Sequence, residues 1–301
     1  MRVARYLIIV CMLASWLCPN VEADGVSFNV FLRVLMIKTP SGLGTGFTFD
    51  VDGRQYLITA KHMVTGLKPE DTIEIKKYDG AHQLKWVTLD VKVFKCDDPV
   101  DIAVLIPPEQ LTVSMTLEVP TADNPVFGQD VFFVGFPEGT SSEAEFTFPT
   151  PFPLGLVKRA VVSGVRSKKV GDAKSTQFIL DGYNIGGFSG SPVVYRPGNG
   201  GGELKVVAVI SGFRADQAPV LTPKEIKPEQ ATPEDYGRAR VMVKDGHTFR
   251  LEESHDVRDQ RYVILNTGII TAYELQPAIE LIHQHPEGPK TALGFAPPLA
   301  Q

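Results

Sequence analysis

The chain has 301 residues, 27 of them glycine and 23 proline, both above the ordinary usage of about 7% and 5%, which argues against a helical bundle and for short strands joined by many turns. Charged residues make up 22% and apolar residues 43%, which tells against a disordered chain and against a polytopic membrane protein. Three cysteines are too few for a disulfide-built miniature scaffold, and a net charge of −5 offers no basic footprint for nucleic acid.

Residues 1–23 read as a secretory signal. Arg2 and Arg5 make a positive start, and the run from Tyr6 to Leu17 is uncharged and apolar. That run is too short to cross the roughly 30 Å hydrocarbon core of a bilayer as a relaxed helix. Val21 and Ala23 supply small residues before a cleavage point, so the mature chain is expected to begin at Asp24 and to be exported, periplasmic or secreted. The alternative is an uncleaved anchor. Trp16 and Leu17 before Cys18 do not fit a lipoprotein. Cleavage removes Cys11 and Cys18, so the mature chain forms no internal disulfide and depends on its core. Cys96, near the alternating apolar residues Val91, Val93 and Phe94, reads as a small buried hydrophobe rather than a nucleophile.

Beyond Asp24, alternating apolar runs fall at about 26–38, 45–51, 55–60, 72–77, 84–95 and 102–106. Asp52-Gly53, between the second and third, signals a tight hairpin. After a proline-containing connection near 107–128, a second set falls at about 130–136, 157–166, 176–181, 192–195, 205–213 and 262–270. The pattern predicts an all-β fold of two packed six-stranded antiparallel barrels. The expected division is an N-terminal barrel over 24–128, a C-terminal barrel over 129–285 and a tail over 286–301.

The stretch 214–261 departs from this rhythm. It is far richer in charge than the chain as a whole, and Pro219, Pro223, Pro228 and Pro233 crowd its first half. Its second half predicts an extra hairpin turning at Asp245-Gly246. It is either a solvated decoration or a flap over a site. One helix is predicted near the end: Thr271-x-x-Glu274 has the form of a capping box, and Leu275, Ala278, Ile279 and Ile282 make an apolar stripe. Pro277 suits a first turn and Pro286 stops the element. His283 and His285 suit the helix C-terminus, and their spacing is wrong for a metal pair on one face, so no metal site is assigned.

Three local motifs carry chemistry. LITAKHMV places His62 just after a strand, DDPVDIAVL places Asp101 at the start of one, and GGFSGSPVV places Ser189 in a glycine-rich turn leading into another. A serine hydroxyl is a weak nucleophile and needs an imidazole to take its proton. The imidazole needs a carboxylate to fix its tautomer and stabilise its charged form. The developing oxyanion needs backbone N–H donors, here the amides of Gly187 and Ser189, with Gly187 free to adopt positive φ. Each motif alone is weak; specificity lies in the order His–Asp–Ser across two sets of strands. α/β-Hydrolases run Ser–Asp–His with G-x-S-x-G, and here the fifth residue is Ser191. Asp97 and Asp98 compete with Asp101, but only Asp101 directly precedes the apolar strand.

On these residues the chain resembles the trypsin-like serine peptidases of the chymotrypsin fold, in particular the exported bacterial branch without disulfides. GTGFTFDVDGRQYLITAKHMV, DIAVL, GGFSGSPVV and NTGIITAYEL match that family's blocks over roughly residues 27–285. The resemblance implies His62 as general base and acid, Asp101 as orienting carboxylate and Ser189 as nucleophile. It implies protein or peptide substrates; acyl transfer of this kind needs only side chains and backbone amides, so no cofactor is expected, and neither a nucleic-acid partner nor, once the signal is removed, a membrane partner is expected. Two positions depart from the pattern. Phe188 stands where the family often has Asp or Asn, so an activation route in which that acid pairs with a new N-terminal amine is not expected, and the turn is either held by packing or only partly formed without substrate. Ser191 replaces a common glycine. No PDZ-like module is expected after Pro286.

The resemblance also places the primary pocket between Tyr183–Gly186, the strand Ser211-Gly212-Phe213 and the strand near Thr267-Gly268. Tyr183 stands six before the nucleophile, where an acid would select Lys or Arg, so a small or apolar side chain is expected before the scissile bond. The segment 214–261 joins two pocket-edging strands and is well placed to restrict access. The leading reading is an exported serine endopeptidase working through an acyl-enzyme. The alternative is a catalytically impaired binding module on the same fold, with a small-ester hydrolase as a third reading.

Overall fold

Alternation of side chains gives every strand two faces, and several strands here bury both. The structure is a computed structural model and describes residues 25–79, 83–114, 125–142, 150–170, 173–197, 203–253 and 262–292. The expected signal and its cleavage point lie outside the described residues.

A short helix α1 (Phe28–Phe31) leads into β1 (Val34–Thr39), β2 (Gly42–Val51), β3 (Arg54–Thr59), β4 (Glu70–Tyr78), β5 (Leu84–Lys95) and β6 (Ala103–Ile106). These strands close a barrel in the order β1-β2-β3-β6-β5-β4. The second barrel takes β7 (Asp130–Gly135), β8 (Leu156–Val170), β9 (Ala173–Asp181), β10 (Pro192–Tyr195), β11 (Lys205–Pro219) and β15 (Tyr262–Glu274), in the order β10-β11-β15-β9-β8-β7. Between β11 and β15 lie β12 (Leu221–Ile226), a short helix α2 (Pro233–Gly237), β13 (Val241–Lys244) and β14 (His247–Glu253). Helix α3 (Gln276–Gln284) follows β15. The predicted architecture of two six-stranded antiparallel barrels and a C-terminal helix is therefore the observed one.

Strand parity explains how the barrels join. Leu35 and Ile37 of β1 point into the first barrel with Leu57, Ile73, Leu89 and Leu105. Their neighbours Val34 and Met36 belong instead to a second cluster with Phe47 and Ile58. From the other barrel that cluster takes Phe132, Val134, Val194 and Val206, while Val131 and Phe133 fill the second barrel's own interior. Each buried aliphatic or aromatic side chain contributes about 1.5–3 kcal/mol over its exposed state. Leu275, Ala278 and Ile282 dock α3 onto the same central cluster.

A buried polar network ties the start of the inter-barrel connection to the first barrel. The Arg33 guanidinium is fully buried and lies 3.2 Å from the Asp50 carboxylate. Burial lowers the Arg33 pKa, against the opposing pull of Asp50. The Gln55 amide donates to Asp50 at 3.0 Å, and its oxygen accepts the Leu111 and Thr112 amides at 2.8 and 3.0 Å. The Ser114 hydroxyl donates to Asp50 at 2.9 Å.

Three local expectations differ from the structure. The run at 26–38 is not all strand: Phe28–Phe31 is helical, and Arg33 at its end donates to Asn29 one turn back at 3.2 Å. The Thr271–Glu274 capping box does not form. Strand β15 continues through both residues, paired with β11 and, up to Tyr273, with β9, and α3 starts only at Gln276 with no side-chain cap. Ladder bonds along the strand outweigh the reciprocal capping bonds that the local pattern offers. The insertion holds more than one hairpin. Its predicted turn is present, with Asp245 and Gly246 at φ of 52° and 84°, but β14 also pairs with β12, making a three-stranded sheet. That sheet follows a ribbon formed where β11 and β15 run on beyond the barrel, from Ala215↔Asn266 to Pro219↔Tyr262.

Residues after Pro286, read as a tail, return along β3: the Gln55 amide donates to Pro289 O and the Thr291 amide to Gly53 O, each at 2.9 Å. His285 stacks on Phe94 with ring centroids 3.8 Å apart, and His283 approaches Asp52 at 3.6 Å. Cys96 is buried at 7% exposure, and burial pushes its thiol up to about 12. Iodoacetamide at pH 8 is expected to leave Cys96 unmodified in the folded protein and to alkylate it in denaturant, read by intact mass. Modification of the native protein at the free-thiol rate would contradict this burial.

Candidate active site

Ala60 leaves β3 in extended conformation, and Lys61–Val64 then form one tight 3₁₀ turn. The turn leaves His62 exposed and keeps Met63 and Val64 buried. Asp101 arrives just before β6, the strand that pairs with β3, so the pairing itself delivers the carboxylate to the imidazole. The His62 Nδ1 lies 2.7 Å from Asp101 Oδ2, and the His62 amide donates to Oδ1 at 2.9 Å. With the carboxylate ionised, Nδ1 carries the proton and Nε2 is left as the acceptor. Asp98 is occupied elsewhere, paired with Lys61 at 2.7 Å. Among the three aspartates, it is thus Asp101 that meets the imidazole.

Asp101 takes a third bond, from the Ser211 hydroxyl of β11 at 2.6 Å. Burial works to raise its pKa, but the bonds from the His62 ring, the Ser211 hydroxyl and the His62 amide outweigh it and leave the value lowered. Ser211 was expected only as an edge of the pocket. Nothing in its local sequence marks the hydroxyl as a carboxylate partner; the sign lies in the carboxylate, which needs several donors once buried.

Ser189 sits in the turn between Tyr183 and β10. Its hydroxyl donates to the Ser211 carbonyl at 3.5 Å, and no bond to His62 is formed among the described residues. Ser211 is therefore one hydrogen bond from both Asp101 and Ser189. The turn is held from several sides. Phe188 is fully buried and meets Phe133 edge-on, with centroids 5.0 Å apart at 81°, so packing takes the place of the expected acid. The Gly190 amide donates to Ile210 O at 2.8 Å and the Ser191 amide to Phe188 O at 2.9 Å. Gly187 has φ of 99°, and a Cβ there would come within 2.2 Å of Phe136 O. Only glycine fits. Among the described residues, the amides of Gly187 and Ser189 donate to no acceptor.

The expected pocket edges also adjoin. The Gly182 amide donates to Gly268 O at 2.9 Å, and the Asn266 side chain donates to Asn184 O. Gly212 pairs with Thr271 and Phe213 with Ile270. Tyr183 is exposed, and the Lys158 ammonium lies 5.5 Å from the centre of its ring.

A model of the trypsin-like peptidase domain matches residues 44–200. The chain belongs to the trypsin-like peptidase family. It is a serine-type endopeptidase of the chymotrypsin fold. Solved structures similar to this trypsin-like peptidase include the Rv3671c protease in an inactive form, with 19% identity, TM-score 0.43, and coverage of 65% of this chain and 85% of that one. Another is the protease domain of MamO from Magnetospirillum magneticum, with 19% identity, TM-score 0.40, and coverage of 62% and 87%. A third is the HtrA-type protease AlgW with a tripeptide, with 15% identity, TM-score 0.45, and coverage of 86% and 61%. No curated protein matches the chain.

In this trypsin-like peptidase, replacing Asp101 by Asn should cost about 10⁴-fold in kcat at pH 7, because the amide permits the wrong imidazole tautomer. The depressed folded pKa of Asp101 also gives a sign. Its stabilising contribution is complete above the unfolded value near 3.9 and is lost as pH falls through the lower folded value. Denaturant melts of wild type and Asp101→Asn should differ above about pH 4, and the difference should shrink as pH falls below that. A gap that closed well above pH 4 would contradict the ionised, hydrogen-bonded carboxylate.

Proposed function

We propose that the protein is an exported endopeptidase that cleaves peptide bonds through a Ser189 acyl-enzyme. Its first barrel, with the connection, spans 24–128, and its second, carrying the nucleophile and the insertion, spans 129–285. The observation that carries this reading is the sharing of Asp101 between His62 and Ser211, with the Ser189 hydroxyl resting on the Ser211 carbonyl. Rotation about the Ser189 Cα–Cβ bond releases that long contact and turns the hydroxyl toward the imidazole. His62 Nε2 then takes the proton as Oγ attacks the peptide carbonyl. Asp101 stabilises the imidazolium, and the Gly187 and Ser189 amides receive the oxyanion. The imidazolium protonates the leaving amine. Water, activated by the same imidazole, hydrolyses the acyl-enzyme and restores Ser189.

The absence of an acid at Tyr183, with the Lys158 ammonium beside it, disfavours a basic side chain before the scissile bond and supports a small or apolar one. Ser211, Gly212, Phe213 and Gly268 form the other edges of that pocket. The substrates are proteins or peptides, with no nucleic acid or membrane as partner. The signal-like N-terminus supports export to the periplasm or beyond.

A fluorophosphonate probe should label Ser189, and Ser189→Ala should abolish labelling and lower turnover about 10⁶-fold. Labelling that survives in Ser189→Ala would overturn the assignment. The ribbon and sheet built on β11 and β15 supply a selectivity device: excising 216–259 should raise cleavage of a folded protein substrate relative to a short peptide. An unchanged ratio would dismiss the insertion as a gate.

A further inference from the structure

One side chain from the first barrel grips the nucleophile turn of the second, and no step of the mechanism above uses it. Thr45 of β2 is fully buried. Its hydroxyl donates to Gly187 O at 2.7 Å and accepts the Phe136 amide at 3.2 Å, which uses its donor and one of its two acceptor lone pairs. Its own amide donates to Ser189 O at 2.9 Å, and its carbonyl accepts the Thr59 hydroxyl at 2.8 Å. The neighbouring carbonyl, Gly186 O, accepts the Glu138 amide at 2.8 Å.

The consequence follows from peptide planarity. In a trans peptide the C=O and the next N–H point in opposite directions. Holding Gly186 O on Glu138 therefore aims the Gly187 amide away from that contact. Holding Gly187 O on the Thr45 hydroxyl fixes the next plane, and holding Ser189 O on the Thr45 amide fixes the plane after Ser189. The plane that carries the Ser189 amide is held in turn by Phe188 O, which accepts the Ser191 amide at 2.9 Å. Thr45 thus fixes the plane between the two amide-bearing planes and the one after them, and the Gly187 and Ser189 amides are left free among the described residues. The surroundings are shaped for this hydroxyl. A Cβ on Gly135 would come within 2.7 Å of Thr45 Oγ1, and a Cβ on Gly190 within 2.0 Å of Thr45 O.

We infer that Thr45 is a positioning residue for the oxyanion-binding turn, acting across the barrel interface through its hydroxyl. This rests on the serine mechanism proposed above. Thr45 touches no reacting atom. It locks the peptide plane that links the two amide-bearing planes, which limits how far either amide can turn, and so its effect belongs to the transition state and not to ground-state substrate binding.

The test compares wild type, Ser189→Ala, Thr45→Val and Thr45→Ser on one peptide substrate. A peptide boronic acid, which forms a tetrahedral adduct, serves as the probe of the oxyanion site. Thr45→Val should lower kcat about 100-fold with KM within about twofold. Boronate affinity should fall by the same factor as kcat/KM, and the acid limb of the pH–rate profile should stay in place. Thr45→Ser, which keeps the hydroxyl, should recover most of the rate. Full kcat in Thr45→Val, equal losses in both Thr45 variants, or a loss confined to KM would each overturn the inference. Should Thr45→Val lack a cooperative unfolding transition, Thr45→Cys decides in its place: its weak thiol donor should give an intermediate kcat, and a wild-type kcat would overturn the inference. Failure of the serine mechanism itself is distinct, since wild type and Ser189→Ala would then turn over alike.

Discussion

Hydrogen bonds that cross from β2 to the nucleophile turn are the constraint on which the site depends. The Thr45 amide holds Ser189 O, and Gly190 is pressed so closely on Thr45 O and Thr59 that no side chain fits between them. The imidazole and its carboxylate come from the first barrel and the hydroxyl from the second. Neither barrel can assemble the constellation alone, so the alignment inherits the rigidity of the interface. That interface is a dense apolar cluster of side chains from β1, β2, β3, β7, β10, β11 and α3. Close-packed interiors yield little to strain, which is what a site needing sub-ångström alignment requires.

The same economy governs polar groups in the interior. Arg33 is buried with Asp50, and the remaining oxygen capacity of that carboxylate is taken by Gln55 and Ser114. Asp101 is treated alike, with donors from His62 twice and from Ser211. A carboxylate drawn partly out of water that loses one of its partners keeps a charge with less compensation, which destabilises the folded state. The two networks do different work with one device. The first ties the start of the inter-barrel connection to the first barrel, and the second holds an imidazole in one tautomer.

Much of this was legible in the sequence because strand period and turn chemistry are local. The two sets of six strands, the Asp52-Gly53 turn and the Asp245-Gly246 turn are all written in short windows. The three motifs around His62, Asp101 and Ser189 were legible as residue types in an order. What escaped is what depends on a distant partner. Thr271 and Glu274 look like a helix start until β9 and β11 claim their backbone. Phe28–Phe31 looks like strand, but the helix ends on a buried arginine whose partner lies on β2. Thr45 is one of several threonines in a β-strand, and only the turn it meets 142 residues later gives it a role. Ser211 is read from the strand as pocket edge, and only the burial of Asp101 calls for its hydroxyl.

Phe188 shows why a missing charge need not mean an unformed site. An acid before the nucleophile can hold such a turn only when a cation is delivered to it, so the turn is then conditional on that delivery. Here the position is a fully buried aromatic packed edge-on against Phe133, in the interior of the second barrel. Burying a phenyl ring stabilises the folded state by about 1.5–3 kcal/mol, and the ring cannot be seated without bringing Gly187 and Ser189 with it. Formation of the turn is thereby coupled to formation of the barrel core. Coupling of this kind is insensitive to chain trimming and weakly sensitive to salt, because apolar burial carries no charge to screen. The turn is thus held by the same burial that closes the second barrel, while the ribbon carried by β11 and β15 continues the strands that bear Ser211, Gly212 and Gly268 and, among the described residues, adds no side chain to the buried cluster around Phe188.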